Sequence, residues 1–380
     1  MHTPEPIPHF LACFLAALMM TSTAVAQDAP ETVSPQVLLA DIRLRAVQEI
    51  LDASRSEDHF IRANAIEACQ SMPERALPMA QIGVQDPSPV VRFAALVTIG
   101  KLKLDTLGPI AAKHVQDPNE SVRAAAYFAA HQCGQEVNPT RLARLLQSED
   151  PGVRGNVAML LGLMGERSAV PMLIDIPTRH PMHRASAADQ ALVHIQIAEA
   201  AVRLGDMQQL NALRAGMFSE FDDVRLMTVL MLGEIEDHRM ITAIEPLLHK
   251  PPLELQIAAA RAMAMLDKPD GLPVLLEGAR MDEKLVRDRA RQVLDQAKRQ
   301  NQRIDPSASL LLDDPAEQTR VAALMRAQSA FGLALFDNLE AAQALSDLLG
   351  DEDPHVRVAA AASIIRAING RQLARAGDDR

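Results

Sequence analysis

Aromatic side chains are scarce in this chain of 380 residues, which has nine Phe, one Tyr and no Trp. Surfaces that stack bases or sugar rings are built from flat side chains, so a stacking platform is not expected. Positive charge is also short: 38 Lys and Arg against 49 Asp and Glu leave a formal net charge of −11. Broad binding to nucleic acid or to an anionic membrane needs clustered cations, and no nucleic-acid partner is expected. The sequence lacks the C-x-x-C-H of covalent haem, a phosphate-cradling Gly-rich loop and G-x-S-x-G, so no cofactor and no catalytic residue is assigned.

Long apolar runs are missing except for residues 10–20, too short for a permanent transmembrane helix. TSTAVA follows, with Ala24 and Ala26 forming an A-x-A pattern before Gln27, so residues 1–26 read as an export signal cleaved after Ala26. Residues 1–10 carry no Lys or Arg, although such signals usually begin positive. The expected location is periplasmic or secreted, with no stable membrane span after cleavage. Residues 27–34 read as a short disordered leader.

What the chain does have is a phrase. DPSPVVRFAAL begins at Asp86 and DPNESVRAAAYFA at Asp117. With the Arg as anchor, equivalent positions fall at Arg62, Arg92, Arg123, Arg154, Gln196, Arg225, Gln256, Arg287, Arg320 and Arg357, a period near 31 residues with one gap of 42. Sustained periods of this length mark solenoids. The residue before the anchor is aliphatic in nine of the ten cases, and Ala stands three places after it in seven. Positions four apart share a helical face, so a branched contact is followed one turn later by a small one.

Six residues before the anchor stand Asp86, Asp117, Asp314 and Asp351, with Ser in three other repeats. These are good N-caps, and Pro87, Pro118 and Pro315 after them suit a first helical position. A second apolar segment follows each first helix, clearest where Gly165 closes one helix and Val170, Leu173 and Ile176 recur at helical spacing in the next. Each unit reads as two antiparallel helices.

The pattern D-P-x-x-x-V-R-x-x-A-x-x-x-L-G with its second helix resembles the short bacterial HEAT repeat, of the kind also found in phycobilisome-lyase-like proteins. The resemblance implies an all-α fold, an α-solenoid of about ten two-helix HEAT-like repeats over residues 55–370. Residues 35–54 read as an N-terminal capping helix, and residues 371–380 as a polar tail. HEAT-like families include scaffolds, transport receptors, bilin lyase subunits and a metal-dependent hydroxylase, so the fold does not choose a function. The hydroxylase holds iron with His-Glu dipeptides, and none of the eleven His here is followed by Glu.

The recurring Asp86, Arg92, Asp117, Arg123, Arg154, Arg225, Arg287, Asp314, Arg320 and Arg357 read as structural positions, because a binding residue would vary from repeat to repeat. Cys69 and Cys133 fall on first helices two repeats apart, about 8–10 Å per step, so no disulfide between them is expected. Function is expected where the phrase lapses: an insertion at residues 177–187, in which His180 and His183 are weak metal candidates, and an irregular stretch at residues 280–337. The expected function is a non-catalytic scaffold that binds protein partners. The alternative is an accessory protein, bilin-lyase-like or handling a ligand or metal on its concave face.

Overall fold

A computed structural model of the chain describes residues 35–138, 140–250, 252–299 and 311–378. The expected signal and leader, and the link at 300–310, lie outside the described residues. The helices, in chain order, are α1 (Pro35–Ala53), α2 (His59–Ala68), α3 (Pro73–Gly83), α4 (Pro89–Leu102), α5 (Gly108–Lys113), α6 (Glu120–Gln132), α7 (Thr140–Arg144), α8 (Pro151–Met164), α9 (Val170–Arg179) and α10 (Ala187–Arg203). They continue with α11 (Leu210–Ala215), α12 (Asp222–Glu234), α13 (Ile241–Ile244), α14 (Leu253–Met265), α15 (Leu272–Gly278), α16 (Glu283–Arg299), α17 (Pro315–Leu333), α18 (Leu339–Leu348) and α19 (Pro354–Asp378). No strand occurs among the described residues. No described helix is long and apolar enough to cross a membrane.

The chain divides into two compact units, one of residues 54–235 and one that joins 35–53 to 236–378. In the first unit, α2, α4, α6, α8, α10 and α12 stack in sequence as first helices. Their small residues allow close approach: Ala94, Ala95, Ala124, Ala125 and Ala126 are buried with Phe93 and Phe128 in one core. A Cβ on Gly100 would lie 2.4 Å from the Phe128 ring, so only glycine fits between these two helices. The second helices are short, and several finish in a 3-10 turn, as α5 does at His114–Gln116. Gly165 closes α8 with φ 76°, the left-handed cap read from the sequence.

The anchor arginines stitch this stack. Arg62 donates from Nε and Nη2 to the two carboxylate oxygens of Asp86 in the next repeat, at 2.8 and 2.9 Å. Its Nη1 donates to the carbonyls of Ser56 and Glu57, at 2.8 and 2.9 Å. Arg92 repeats the arrangement with Asp117, at 2.9 and 3.0 Å, and with the carbonyls of Asp86 and Pro87. Each guanidinium thus satisfies loop carbonyls of its own repeat and a carboxylate of its neighbour.

The capping assignment needs correction. Asp86 and Asp117 are not N-caps; each accepts from the amide two residues on, Ser88 and Asn119, in a turn outside the helix. The caps stand two residues later, where Asp58, Asn119 and Asp150 accept from first-turn amides. Pro87 and Pro118 therefore lie in the loop, and their carbonyls receive an anchor Arg. This turn leaves the carboxylate free to face the preceding repeat. Asp314, by contrast, is a true N-cap for α17.

In the second unit the pattern shifts. Because α17 starts directly after Asp314, Arg320 moves out to an exposed pair with Glu317, and Arg326 binds the carboxylate of Asp351 at 2.7 and 2.9 Å. Arg357 holds the carbonyls of Asp351 and Glu352 and donates from Nε to Glu49 of α1 at 2.8 Å. The helix expected to cap the first repeat packs along α19, burying Ala46 and Ile50. Helix α19 runs unbroken to Asp378, so residues 371–378 of the expected polar tail are helical. Glycine inside a helix costs about 1 kcal/mol and does not forbid it. Cys69 and Cys133 are both free and buried.

Burial alone would raise the Asp86 and Asp117 carboxyls, but hydrogen bonds from Arg62 and Arg92 and from the turn amides outweigh it and hold both below the ordinary carboxylate range. A depressed folded pKa gives stability that is full above the unfolded value near 3.9 and is lost as pH falls through the folded value. Asp117→Asn keeps the turn but strands Arg92, and is expected to cost ~3 kcal/mol in urea unfolding at pH 7. The loss should vanish toward pH 2; an equal loss at both pH values would contradict the ion-pair account.

Candidate functional site

The repeat lapses after α8, and the local sequence explains how. Helix α9 runs through Arg179, so the insertion is reduced to a loop of residues 180–186. Ser186 then accepts from the Asp189 amide, and the Asp189 carboxylate accepts from the Ser186 amide, a reciprocal cap that fixes the start of α10. Anchors Arg62, Arg92, Arg123, Arg154 and Arg225 are each the fourth residue of their helix. In α10 that residue is Gln190, not Gln196. Gln190 Nε2 donates to the carbonyls of Met182 and Ala185, at 3.2 and 3.0 Å, as an anchor Arg does. Gln196 lies mid-helix, where its carboxamide presses on the Gly155 backbone of α8, at a spot a Cβ would occupy.

With the register corrected, the seam before α10 is missing its carboxylate. Six residues before Gln190, where the phrase places Asp or Ser, stands the exposed Arg184. The preceding seam already weakens, because Ser148 replaces Asp. There Arg123 turns to Glu120 at 2.9 Å, and Glu120 accepts from Ser148 Oγ at 2.8 Å, a relay that still crosses the repeat boundary. Arg154 has no such relay. It is 1% exposed, it donates from Nε to the Ser148 carbonyl, and its Nη2 is buried without a hydrogen-bond partner. Burial lowers its pKa, opposed by the charge of Glu149.

His180 and His183, the metal candidates, are both exposed on this loop, as is His194 on α10. Met182 between them turns inward and joins the core that holds Val153 and Val157. Among the described residues no three His, Cys, Asp or Glu side chains gather as a metal set. Of the other sequence-marked positions, Arg225 donates to the Ser219 carbonyl and pairs with Asp222, while Arg287 is half-buried on α16.

The surface has a marked asymmetry in the first unit. Its exposed large apolar side chains among the described residues are Leu77 and Ile82 on α3 and Met207 and Phe218 on either side of α11, all in second-helix segments. Ile82 is 75% and Phe218 77% exposed, whereas most of α4 and α6 is buried. Stacking consumes the first helices and leaves the second ones to solvent.

One titratable group was not signalled by the sequence. Burial pushes the Glu67 carboxyl on α2 up to about 8, against the opposing charge of Lys101 on α4. Nothing in its position distinguishes it in the sequence, since a helical Glu is ordinarily solvated.

A family model described as HEAT repeats matches residues 44–130, 109–192 and 210–295. No curated protein matches the chain. Among solved structures, the complex of CpcE and CpcF of phycocyanin lyase from Nostoc sp. PCC7120 is similar at 17% identity and a TM-score of 0.39, over 67% of this chain and 97% of that one. Human deoxyhypusine hydroxylase in complex with glycerol is similar at 13% identity and a TM-score of 0.35, over 88% of this chain and 98% of that one. Likenesses of this degree carry no argument about activity.

A raised carboxyl acts on stability in the opposite sense from Asp117. Between its ordinary value near 4.3 and about 8, folded Glu67 holds a proton that the unfolded chain has released, so stability falls as pH rises through that window. Glu67→Gln is expected to be more stable than the parent at pH 8 and close to it at pH 4.5 in urea unfolding. An unchanged difference between those pH values would count against the burial of this carboxyl.

Proposed function

Because the chain belongs to the HEAT-repeat family, whose matched segments cover more than half of it, we propose that it is an exported, non-catalytic scaffold that binds protein partners through its second-helix layer. The observation that carries this reading is the exposure of Leu77, Ile82, Met207 and Phe218 on that layer. Single exposed apolar residues are common on protein surfaces. Their restriction to one helical layer of the first unit is not expected of random scatter, and apolar surface of this kind is what partner binding buries. A stacked array of helix pairs also offers an extended face in which each repeat contributes a few contacts, without any one of them being essential to the fold.

Export is supported by the apolar run at residues 10–20 followed by the Ala24 and Ala26 cleavage pattern. The overall acidity, −11, favours neutral or basic partner surfaces through long-range steering.

Crosslinking in intact cells, followed by fractionation, tests both parts. The expected outcome is an envelope or secreted protein whose N-terminus is Gln27, recovered with a defined partner. Ile82→Ser together with Phe218→Ser should reduce partner recovery at least tenfold while leaving the melting temperature within a few degrees, because both side chains are already solvated. Recovery of no partner, with a stoichiometric metal or pigment in the purified protein, would sink the scaffold reading.

A further inference from the structure

We propose that Arg154 is the receiving end of a site for an external carboxylate, which completes the seam that the insertion leaves open. The geometry of the intact seams defines what belongs there. At Arg62 and Arg92 a carboxylate from the following repeat takes Nε and Nη2 together, while Nη1 holds the loop carbonyls. At Arg154 the following repeat offers Arg184 in that place, and Nε has turned to the Ser148 carbonyl. The result is a guanidinium 1% exposed with Nη2 unpaired, the state that costs most in a protein interior. The charge of Glu149 acts on the guanidinium but leaves Nη2 without an acceptor.

The loop entering α10 is suited to an anion. Residues 177–187 contain Arg179, His180, His183 and Arg184 and no Asp or Glu, in a chain that is strongly acidic as a whole. Arg179 is already paired with Asp175, which leaves His180, His183 and Arg184 as the exposed basic groups of that loop. The loop is held by Met182 in the core and by two hydrogen bonds from Gln190 to its carbonyls. On binding, the guanidinium swings back to the orientation of Arg62: Nη1 onto the Ser148 carbonyl, Nε and Nη2 onto the two carboxylate oxygens. The inference does not rest on the protein-binding reading, since a free organic acid supplies the same group as an acidic partner segment.

The full chain is titrated with sodium acetate and, separately, with a short Glu-rich peptide, sodium chloride holding ionic strength constant; melting temperature and binding heat are recorded. A saturable response is expected, abolished in Arg154→Met and weakened roughly tenfold in Arg184→Ala. Saturation by acetate identifies a small free acid as sufficient. Saturation by the peptide alone identifies a carboxylate carried on a partner. Arg154→Met replaces a buried charge that has an unpaired donor by an apolar chain of similar length, and Arg184 is exposed, so at least one variant reports on a folded protein. Equal effects of acetate and chloride with no response to the peptide, or a response that survives in Arg154→Met, overturns the proposal.

Discussion

A guanidinium can face two backbone carbonyls and a carboxylate at once, because its five donors are fixed in one plane. The repeat is arranged around that capacity. The loop entering each first helix carries carbonyls that no helix satisfies, and the same loop presents an Asp whose turn aims it at the preceding repeat. Arg62 and Arg92 therefore close a loop and join two repeats with one side chain. Lysine has no flat fork to do this, and glutamine at position 190 manages only the carbonyl half. Elsewhere the neighbouring geometry compensates where the phrase departs, by a relay through Glu120, by Arg326 in place of the displaced Arg320, and by a borrowed carboxylate in Glu49, but at Arg154 it does not.

The seam also divides labour between the two helical layers. First helices rich in Ala, with Gly at the tightest crossings, approach so closely that little of α4 or α6 reaches solvent. Stability is concentrated there, with the second helices contributing one buried face each. Changes on the outer face of a second helix leave the stack untouched, so sequence drift and partner selection can act on that layer at small energetic cost.

The helical pairs were legible because their signals are local: period, branched contact, small contact, terminal Gly165. The helix starts were misplaced by two residues because Asp-Pro looks like a cap followed by a first helical residue, while the actual caps, Asp58, Asn119 and Asp150, come just after it. The register slipped at Gln196 because Ile195 before it satisfied the aliphatic rule by coincidence. Ser186 and Asp189, spaced as a reciprocal cap, were the signal that fixes the true start. Arg154 was visible as a repeat position, but its lack of a carboxylate was not. That property belongs to the following repeat and appears only when Arg184, not an acidic residue, is aligned six places before Gln190.

The pairing of Glu49 with Arg357 spans 308 residues of sequence. The seams between neighbouring repeats close within about one repeat length, as Arg62 with Asp86 and Arg92 with Asp117 do. Helix α1 instead packs on α19, from the far end of the described chain. The first helix of the described chain is thus a non-local part of the fold: a chain that stops short of α19 leaves Ala46 and Ile50 without the helix they pack along.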